Sequence, residues 1–85
     1  MKLSEARILI FLNTVDERYK FAKEISYKLN MDYGYVLRML GLLKFKGQII
    51  DFRRENKVFY SLTKLAQVEE AKKVHMTKKK KTNRE

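Results

Sequence analysis

The sequence has no cysteine and no proline, and it contains a single histidine. Without cysteine the chain cannot form disulfides, cannot use a thiolate nucleophile and cannot build a cysteine zinc site. Proline often marks linkers, and we find neither an internal repeat nor a low-complexity linker in the body of the chain. The folded part is therefore expected to form one block.

Groups that could catalyse a reaction or hold a cofactor are also scarce. His75, the only histidine, lies beside the lysine-rich end of the chain, which argues against metal binding and general-base catalysis. The acidic pairs Asp16-Glu17 and Glu69-Glu70 are adjacent, so their side chains diverge on a helix. The three glycines are scattered and form no phosphate-binding loop. We expect no enzymatic activity, no metal and no cofactor.

Long hydrophobic runs are missing as well. The longest, Ile8–Leu12 and Met39–Leu43, are far shorter than the roughly 20 residues that a membrane-spanning helix needs. The start of the chain shows no signal-peptide pattern. These features predict a cytoplasmic protein with no membrane partner.

Acidic residues are outnumbered by basic ones. There are 20 Lys and Arg against 10 Asp and Glu, which gives a net charge of +10. Such an excess favours a polyanionic partner, for which DNA, RNA and an anionic membrane surface are the general candidates. With 85 residues, 45% of them hydrophobic, the chain is long enough for one small domain and too apolar to be disordered throughout.

The basic residues concentrate at the end of the chain. The run Lys78-Lys79-Lys80-Lys81 repels itself and has nothing to bury. It predicts a folded domain over residues 1–76 and a flexible, disordered tail over residues 77–85. The tail lysines would then clamp a nucleic acid through charge alone. The alternative is a solubilising end with no specific role.

The first predicted helix begins at Ser4 as N-cap and continues to about Val15. Its apolar residues cover more than one stripe, which requires burial on two sides. A second subunit is the favoured cover for the second side, so the chain is predicted to be a homodimer through its first and last helices. The alternative is a central helix of a monomer.

Two more helices are predicted by apolar spacing. After a short extended piece at residues 19–21, a second helix carries Ala22, Ile25 and Leu29 on one face. Asp32 is placed to cap a third helix from Tyr33 to about Phe45, and Gly47 suits the position just after it.

The pattern changes to alternation from Ile49 onwards, which predicts a β-hairpin. Its tip is Arg54-Glu55-Asn56-Lys57, where Asn56 tolerates a left-handed conformation. Thr63 is placed to cap a last helix with Leu65, Ala66, Val68 and Ala71 as apolar members. The predicted fold is mainly α with a small β-hairpin, in the order helix, short strand, helix, helix, two-stranded hairpin, helix.

The stretch from Phe21 to Ile49 resembles a winged helix-turn-helix core. It has an Ala/Ile/Leu helix, a three-residue turn and a capped helix with Val36, Leu40 and Leu43 inside. The ending Tyr60-Ser61-Leu62-Thr63 is similar to that of MarR-like, ArsR-like and PadR-like regulators. The resemblance implies a sequence-specific DNA-binding transcription regulator, associated with the nucleoid. The frequent Lys, Ile and Tyr suit an archaeal regulator or one from an archaeal virus.

By this resemblance, the third helix enters the DNA major groove. Its outward residues would contact DNA, with Arg38 reading guanine and with Leu37 limited to apolar contacts. The hairpin tip, Arg53, Arg54 and Lys57, would act as a wing in the flanking minor groove. Lys20, Lys23 and Lys28 on the second helix would touch phosphate, or else form a solvated helix face. The other predicted contacts on the third helix are Tyr33, Gly34 and, at the flank, Tyr35. Gly41 is also predicted to face outward. The alternatives are a solvated Arg38, tyrosines at the core rim and an ordinary charged hairpin edge.

A homodimer of this kind would bind double-stranded DNA at two half-sites about one helical turn, roughly 10 bp, apart. Two further functions stay open: a chromatin-like protein that coats DNA without preference, and an RNA- or ribosome-associated winged helix. Because the chain is barely longer than the winged core and lacks cysteine, we expect no small-molecule effector.

Overall fold

The computed structural model describes residues 1–83, with side chains through residue 77. It contains four α-helices, α1 (Leu3–Thr14), α2 (Ala22–Leu29), α3 (Tyr33–Phe45) and α4 (Val68–Asn83), and two strands, β1 (Ile49–Arg54) and β2 (Lys57–Leu62). A short 3₁₀ turn, Glu17–Tyr19, separates α1 from α2. The predicted fold class is confirmed.

The helix α1 is the centre of the core. Ile8, Leu9 and Leu12 are fully buried. One side of α1 packs against α4, and the others face α2, α3 and β2. The second apolar side is therefore covered within the protomer, so the argument that α1 needs a second subunit was wrong.

The start of α1 also differs from the prediction. The helix begins at Leu3, and the carboxylate of Glu5 accepts a hydrogen bond of 3.0 Å from the backbone N–H of Lys2. Ser4 lies inside the first turn and is not the N-cap. Its hydroxyl is 2.9 Å from the hydroxyl of Tyr35 on α3, a partner that sequence spacing could not reveal.

Local signals set the turn between α2 and α3. Asn30 adopts the left-handed conformation (φ 53°) that ends α2, and the Asp32 carboxylate accepts a 3.0 Å hydrogen bond from the Tyr35 N–H. Asp32 is thus the N-cap that the sequence predicted. At the other end of α3, Gly47 has φ 78°, a value that suits glycine.

The hairpin is antiparallel, with pairs from Ile49↔Leu62 to Arg54↔Lys57. Its two turn residues, Glu55 and Asn56, both have positive φ, as the common two-residue hairpin turn requires. The predicted short strand is reduced to one bridge between Phe21 and Phe59.

The last helix begins later than predicted. The Thr63 hydroxyl donates to the Gly47 carbonyl (2.6 Å) and accepts from the Leu65 N–H (3.1 Å), so it caps a turn and not α4. Leu65 and Ala66 precede the helix, which starts at Val68. The α4 backbone is described to Asn83, and the predicted division at residue 77 stays a prediction.

Candidate nucleic-acid interface

The helix α3 presents one face to the core and the opposite face to solvent. Val36, Leu40 and Leu43 are buried, as the spacing predicted. The solvent face carries exposed residues at and after the N-terminus of the helix: Tyr33, Gly34, Leu37 and Arg38. The sequence-predicted contacts at these four positions therefore lie together on one accessible surface.

Arg38 is the only cation among those four residues. Within the described side chains, its guanidinium has no hydrogen-bond or ion-pair partner. A free guanidinium on an exposed helix face can bond two acceptors at once, as on the major-groove edge of guanine. The packing of α3 thus leaves the predicted base-reading group available.

Tyr35 lies elsewhere. It is half-buried and packs against the core, and its hydroxyl is within hydrogen-bond distance of Ser4. The structure therefore places it between α1 and α3, at the rim of the core, which was the alternative given for the tyrosines in the sequence analysis. It does not join the exposed face with Tyr33.

The hairpin tip carries three exposed cations with different surroundings. Arg54 lies 3.9 Å from the Glu17 carboxylate and also above the Phe52 ring. The Lys57 ammonium lies 4.4 Å from the centre of the Phe21 ring. Arg53 has no ion-pair partner among residues 1–77. The tip is therefore cationic, and two of its charges are already oriented by neighbours.

Several contacts hold the hairpin beside α3. Lys44, near the end of the helix, forms a 3.0 Å ion pair with Asp51 on β1. The root of the hairpin is fixed through Gln48, whose backbone carbonyl accepts from the Thr63 N–H and whose side chain accepts from the Gln67 N–H. These contacts tie the hairpin to the end of α3 and to the segment before α4.

A groove of about 290 Å³ runs between that face of α3 and the hairpin. Four predicted contacts line it: Lys23, Tyr33, Leu37 and Lys57. The other lining residues were not predicted as site residues: Phe21, Ala22, Asn56, Val58 and Tyr60. Burial, together with the Asp51 carboxylate and Tyr33 nearby, raises the pKa of Tyr60, so its hydroxyl stays protonated at neutral pH. This groove forms because residue 21 pairs with β2, which is far from it in the sequence. No local sequence pattern predicts it.

The remaining predicted contacts lie outside this groove. Lys28 is exposed on α2, with its ammonium 5.7 Å from the Tyr27 ring. The side chains of Lys78, Lys79, Lys80 and Lys81 lie outside the described residues, so the tail clamp stays a prediction.

Together, the helix pair α2–α3, the hairpin and the exposed helix face define a winged helix-turn-helix domain. No family model and no curated protein matches the chain. Solved structures do match. A single-residue variant of Lactococcus lactis ZitR is 29% identical over 95% of this chain and 56% of its own, with a TM-score of 0.70.

Two further structures have the same fold. A ZitR variant in complex with DNA is 25% identical over 99% of this chain and 58% of its own, with a TM-score of 0.73. The adhesin competence repressor AdcR from Streptococcus pyogenes is 16% identical over 99% of this chain and 64% of its own, with a TM-score of 0.75. This chain spans less than two thirds of these proteins. Both sources are bacteria, which gives no support to an archaeal origin.

ZitR is described as a zinc-responsive member of the MarR family, which runs against the expectation that no effector exists. The residues that the structure describes do not fit a zinc site. Zinc in proteins takes Cys, His, Asp or Glu ligands, usually four in a structural site. Among the described residues, no three such side chains lie close enough to hold a metal ion. The Nδ1 atom of His75 is buried beside the apolar residues Ile10, Phe11 and Leu29.

Over the part of the chain that the structure describes, no helix is both long enough and apolar enough to cross a membrane.

Proposed function

We propose that this protein is a sequence-specific, double-stranded-DNA-binding transcription regulator associated with the nucleoid. In this proposal α3 enters the major groove and the wing, residues 53–57, lies in the flanking minor groove. The observation that carries it is the exposed face of α3, where Arg38 has no partner among the described side chains, beside a cationic hairpin tip.

The surface divides into parts with different tasks. Arg38 would bond the O6 and N7 acceptors of guanine, and Leu37 would contact a thymine methyl group. Gly34 and the Tyr33 hydroxyl lie at the helix N-terminus, which favours phosphate. Arg53 would enter the minor groove, where negative potential attracts arginine.

The solved structures support this assignment. The same fold occurs in ZitR, one structure of which contains DNA, and in AdcR, which is called a repressor. The net charge of +10 agrees with a polyanionic ligand.

We propose further that the protein binds as a homodimer to two half-sites about one helical turn apart. Because α1 is covered in the protomer, the partner would contact the exposed side of α4. Met76, on that helix, is 70% exposed.

The proposal is tested by selecting from random duplex DNA at near-physiological salt and sequencing the bound fraction. Two enriched inverted half-sites would support a dimeric, sequence-specific regulator. Strong retention without an enriched motif would contradict specificity and favour a protein that coats DNA. Preference for folded RNA over duplex DNA would contradict the proposal in favour of the RNA-associated function.

Arg38 provides a matched pair of variants for the base-reading step. Arg38→Ala should cost about 1–3 kcal/mol on the selected sequence and relax specificity at one position. Arg38→Lys keeps the charge but loses the two-donor geometry, so it should relax specificity while keeping the salt dependence. Equal losses on every sequence would contradict direct base reading.

A further inference from the structure

The first turn of α1 contacts α3 through polar side chains at two separate points. The Ser4 hydroxyl is 2.9 Å from the Tyr35 hydroxyl and 3.5 Å from the sulfur of Met39. The next residue, Glu5, accepts a hydrogen bond of 2.8 Å from the Lys46 ammonium. Tyr35 lies in the first turn of α3, whereas Lys46 is the C-cap of that helix. Two neighbouring residues of α1 therefore hold both ends of α3.

The separation of these two contacts suits them to fix an angle. Eleven positions separate Tyr35 from Lys46, which corresponds to roughly 16 Å along a helix. A single contact fixes where a helix lies but allows the helix to pivot about it. Two contacts this far apart also fix its tilt. Both side chains are long, so they reach the same turn of α1 from opposite ends of α3.

The polar contacts add a directional constraint that the apolar packing of α3 lacks. Buried side chains, Val36 and Leu40 among them, fix which face of the helix points inward. Hydrophobic burial has no preferred direction, whereas a hydrogen bond weakens steeply when its donor and acceptor move out of line. The contact between Ser4 and Tyr35 is partly buried, and the Glu5 side chain is only 3% exposed. Water therefore competes little for either contact.

We propose that Ser4 and Glu5 are positioning residues for DNA binding. Through Tyr35 and Lys46 they set the orientation of α3 relative to the rest of the domain, an inference that rests on the proposed DNA-binding function. Arg38 lies one turn after Tyr35 on the same helix, so a change of tilt displaces its guanidinium from the base edge that it would read. Such a group must be held within about 0.5 Å and 10–20° of its bonding geometry. Tyr35 thus acts on DNA recognition from the core side, without touching DNA.

Two variants that remove the same hydrogen bond test the Ser4 contact. Ser4→Ala and Tyr35→Phe should each lower the ratio of affinities for the selected duplex and a scrambled duplex by roughly 2- to 10-fold, the equilibrium factor of one hydrogen bond. Affinity for the scrambled duplex should stay near the wild-type value, because no charge is removed. The double variant should lose no more than either single variant. Tyr19→Phe, on the 3₁₀ turn, is the matched control and should leave the ratio unchanged.

Ser4→Ala separates positioning from direct contact. If the Tyr35 hydroxyl bonded DNA itself, Tyr35→Phe would weaken binding while Ser4→Ala bound like the wild type, and that result would overturn the inference. Thermal unfolding verifies that each variant is folded under the binding conditions.

The contact at the other end of α3 has its own variants. Lys46→Met removes the donor to Glu5 and should lower the same affinity ratio, whereas Lys46→Arg, which can still donate to the carboxylate, should keep most of it. Lys64→Met, which removes an exposed positive charge elsewhere, is the control. Equal ratios for Lys46→Met and Lys64→Met would show that only the charge matters and would overturn the role of this contact.

The orientation of α3 is measured without DNA. Residual dipolar couplings of the backbone N–H groups of α3, compared with those of α1, report the angle between the two helices. Ser4→Ala should change that angle and Tyr19→Phe should not. An unchanged angle in a variant that has lost the affinity ratio would overturn the positioning role.

The possible failures are distinguishable. If the wild type prefers the selected duplex and the Ser4→Ala and Lys46→Met variants keep that preference, the positioning inference is wrong and the DNA-binding function stands. If the wild type shows no preference for any duplex, the proposed function is wrong, and the role of these residues in DNA binding falls with it.

Discussion

At the scale of single residues, Gly41 is a position where a larger side chain should stabilise the fold but weaken the proposed DNA binding. It lies exposed in the interior of α3, and a Cβ there would meet no atom within 4 Å beyond its own stretch of helix. Glycine inside a helix costs roughly 0.5–1 kcal/mol relative to alanine. We expect Gly41→Ala to raise the free energy of unfolding by about that amount in urea titrations. The added methyl group should at the same time weaken duplex binding.

Gly34 is the matched comparison on the same helix. A Cβ at Gly34 would lie 3.3 Å from the Asp32 carboxylate that caps the helix. Gly34→Ala should therefore gain less stability than Gly41→Ala, because the cap must shift. If Gly41→Ala raised stability without changing DNA affinity, this part of α3 would lie outside the interface.

Glu5 is the buried carboxylate of the core. Burial alone would raise its pKa, but the hydrogen bonds from Lys46 (2.8 Å) and the Lys2 N–H lower it below its ordinary value of 4.5. Because the pKa of Glu5 is lower in the folded than in the unfolded protein, its ionised carboxylate stabilises the fold. This contribution is complete at pH values above the unfolded-state pKa, and it is lost as the pH falls through the folded-state pKa.

Glu5→Gln should therefore lower the free energy of unfolding at neutral pH by about 1–3 kcal/mol. It should also flatten the dependence of stability on pH between about pH 6 and pH 3. Urea unfolding across that range measures both effects. Glu69→Gln is the control, since Glu69 is an exposed carboxylate paired only with Lys72. An equal pH dependence in wild type and Glu5→Gln would contradict the assigned pairing.

At the scale of elements, the bounds of α3 were predicted correctly, because the sequence signals that set them are local. An N-cap aspartate before the helix and a glycine after it act through neighbouring backbone groups, so their effects do not depend on the rest of the fold. The start of α4 was mispredicted because Thr63 is engaged by Gly47, sixteen positions earlier. The orientation of the Tyr35 side chain towards α1 likewise depends on its contact with Ser4. Such contacts depend on tertiary structure and leave no periodic signal.

The cap of α3 yields a prediction of its own. Asp32→Ala removes the acceptor for the Tyr35 N–H and should cost about 0.5–2 kcal/mol of stability. Asp32→Asn, which keeps a capping oxygen, should recover most of the loss. Asp16→Ala, which affects only the short 3₁₀ turn, serves as the control. Thermal unfolding of the three variants measures the difference, and equal melting temperatures for all three would show that the cap contributes nothing.

At the scale of the whole molecule, composition indicates a kind of partner, whereas the geometry that would bind it depends on the tertiary structure. A net charge of +10 indicates a polyanion from the sequence alone. The groove beside α3 was not predictable in the same way, because it forms only when Phe21 pairs with Phe59, residues far apart in sequence. The tertiary structure thus places Lys23 in this groove, whereas the sequence alone gave Lys20, Lys23 and Lys28 as equivalent candidates for phosphate contact.

The covered position of α1 makes a prediction about assembly and stability. Because Ile8, Leu9 and Leu12 are buried within a single copy, folding of this 85-residue chain should not require a partner. The chain should then remain folded, with its full helical circular-dichroism signal, when it is diluted about 100-fold to a monomer. A stability that depended on association would change by about 2.7 kcal/mol over such a range. Calorimetry or circular dichroism at both concentrations, with sedimentation to monitor mass, decides between the two. Loss of the helical signal in the monomeric sample would show that the core is completed only in a dimer, whereas a folded monomer would leave dimerisation to the outer side of α4 or to the DNA itself.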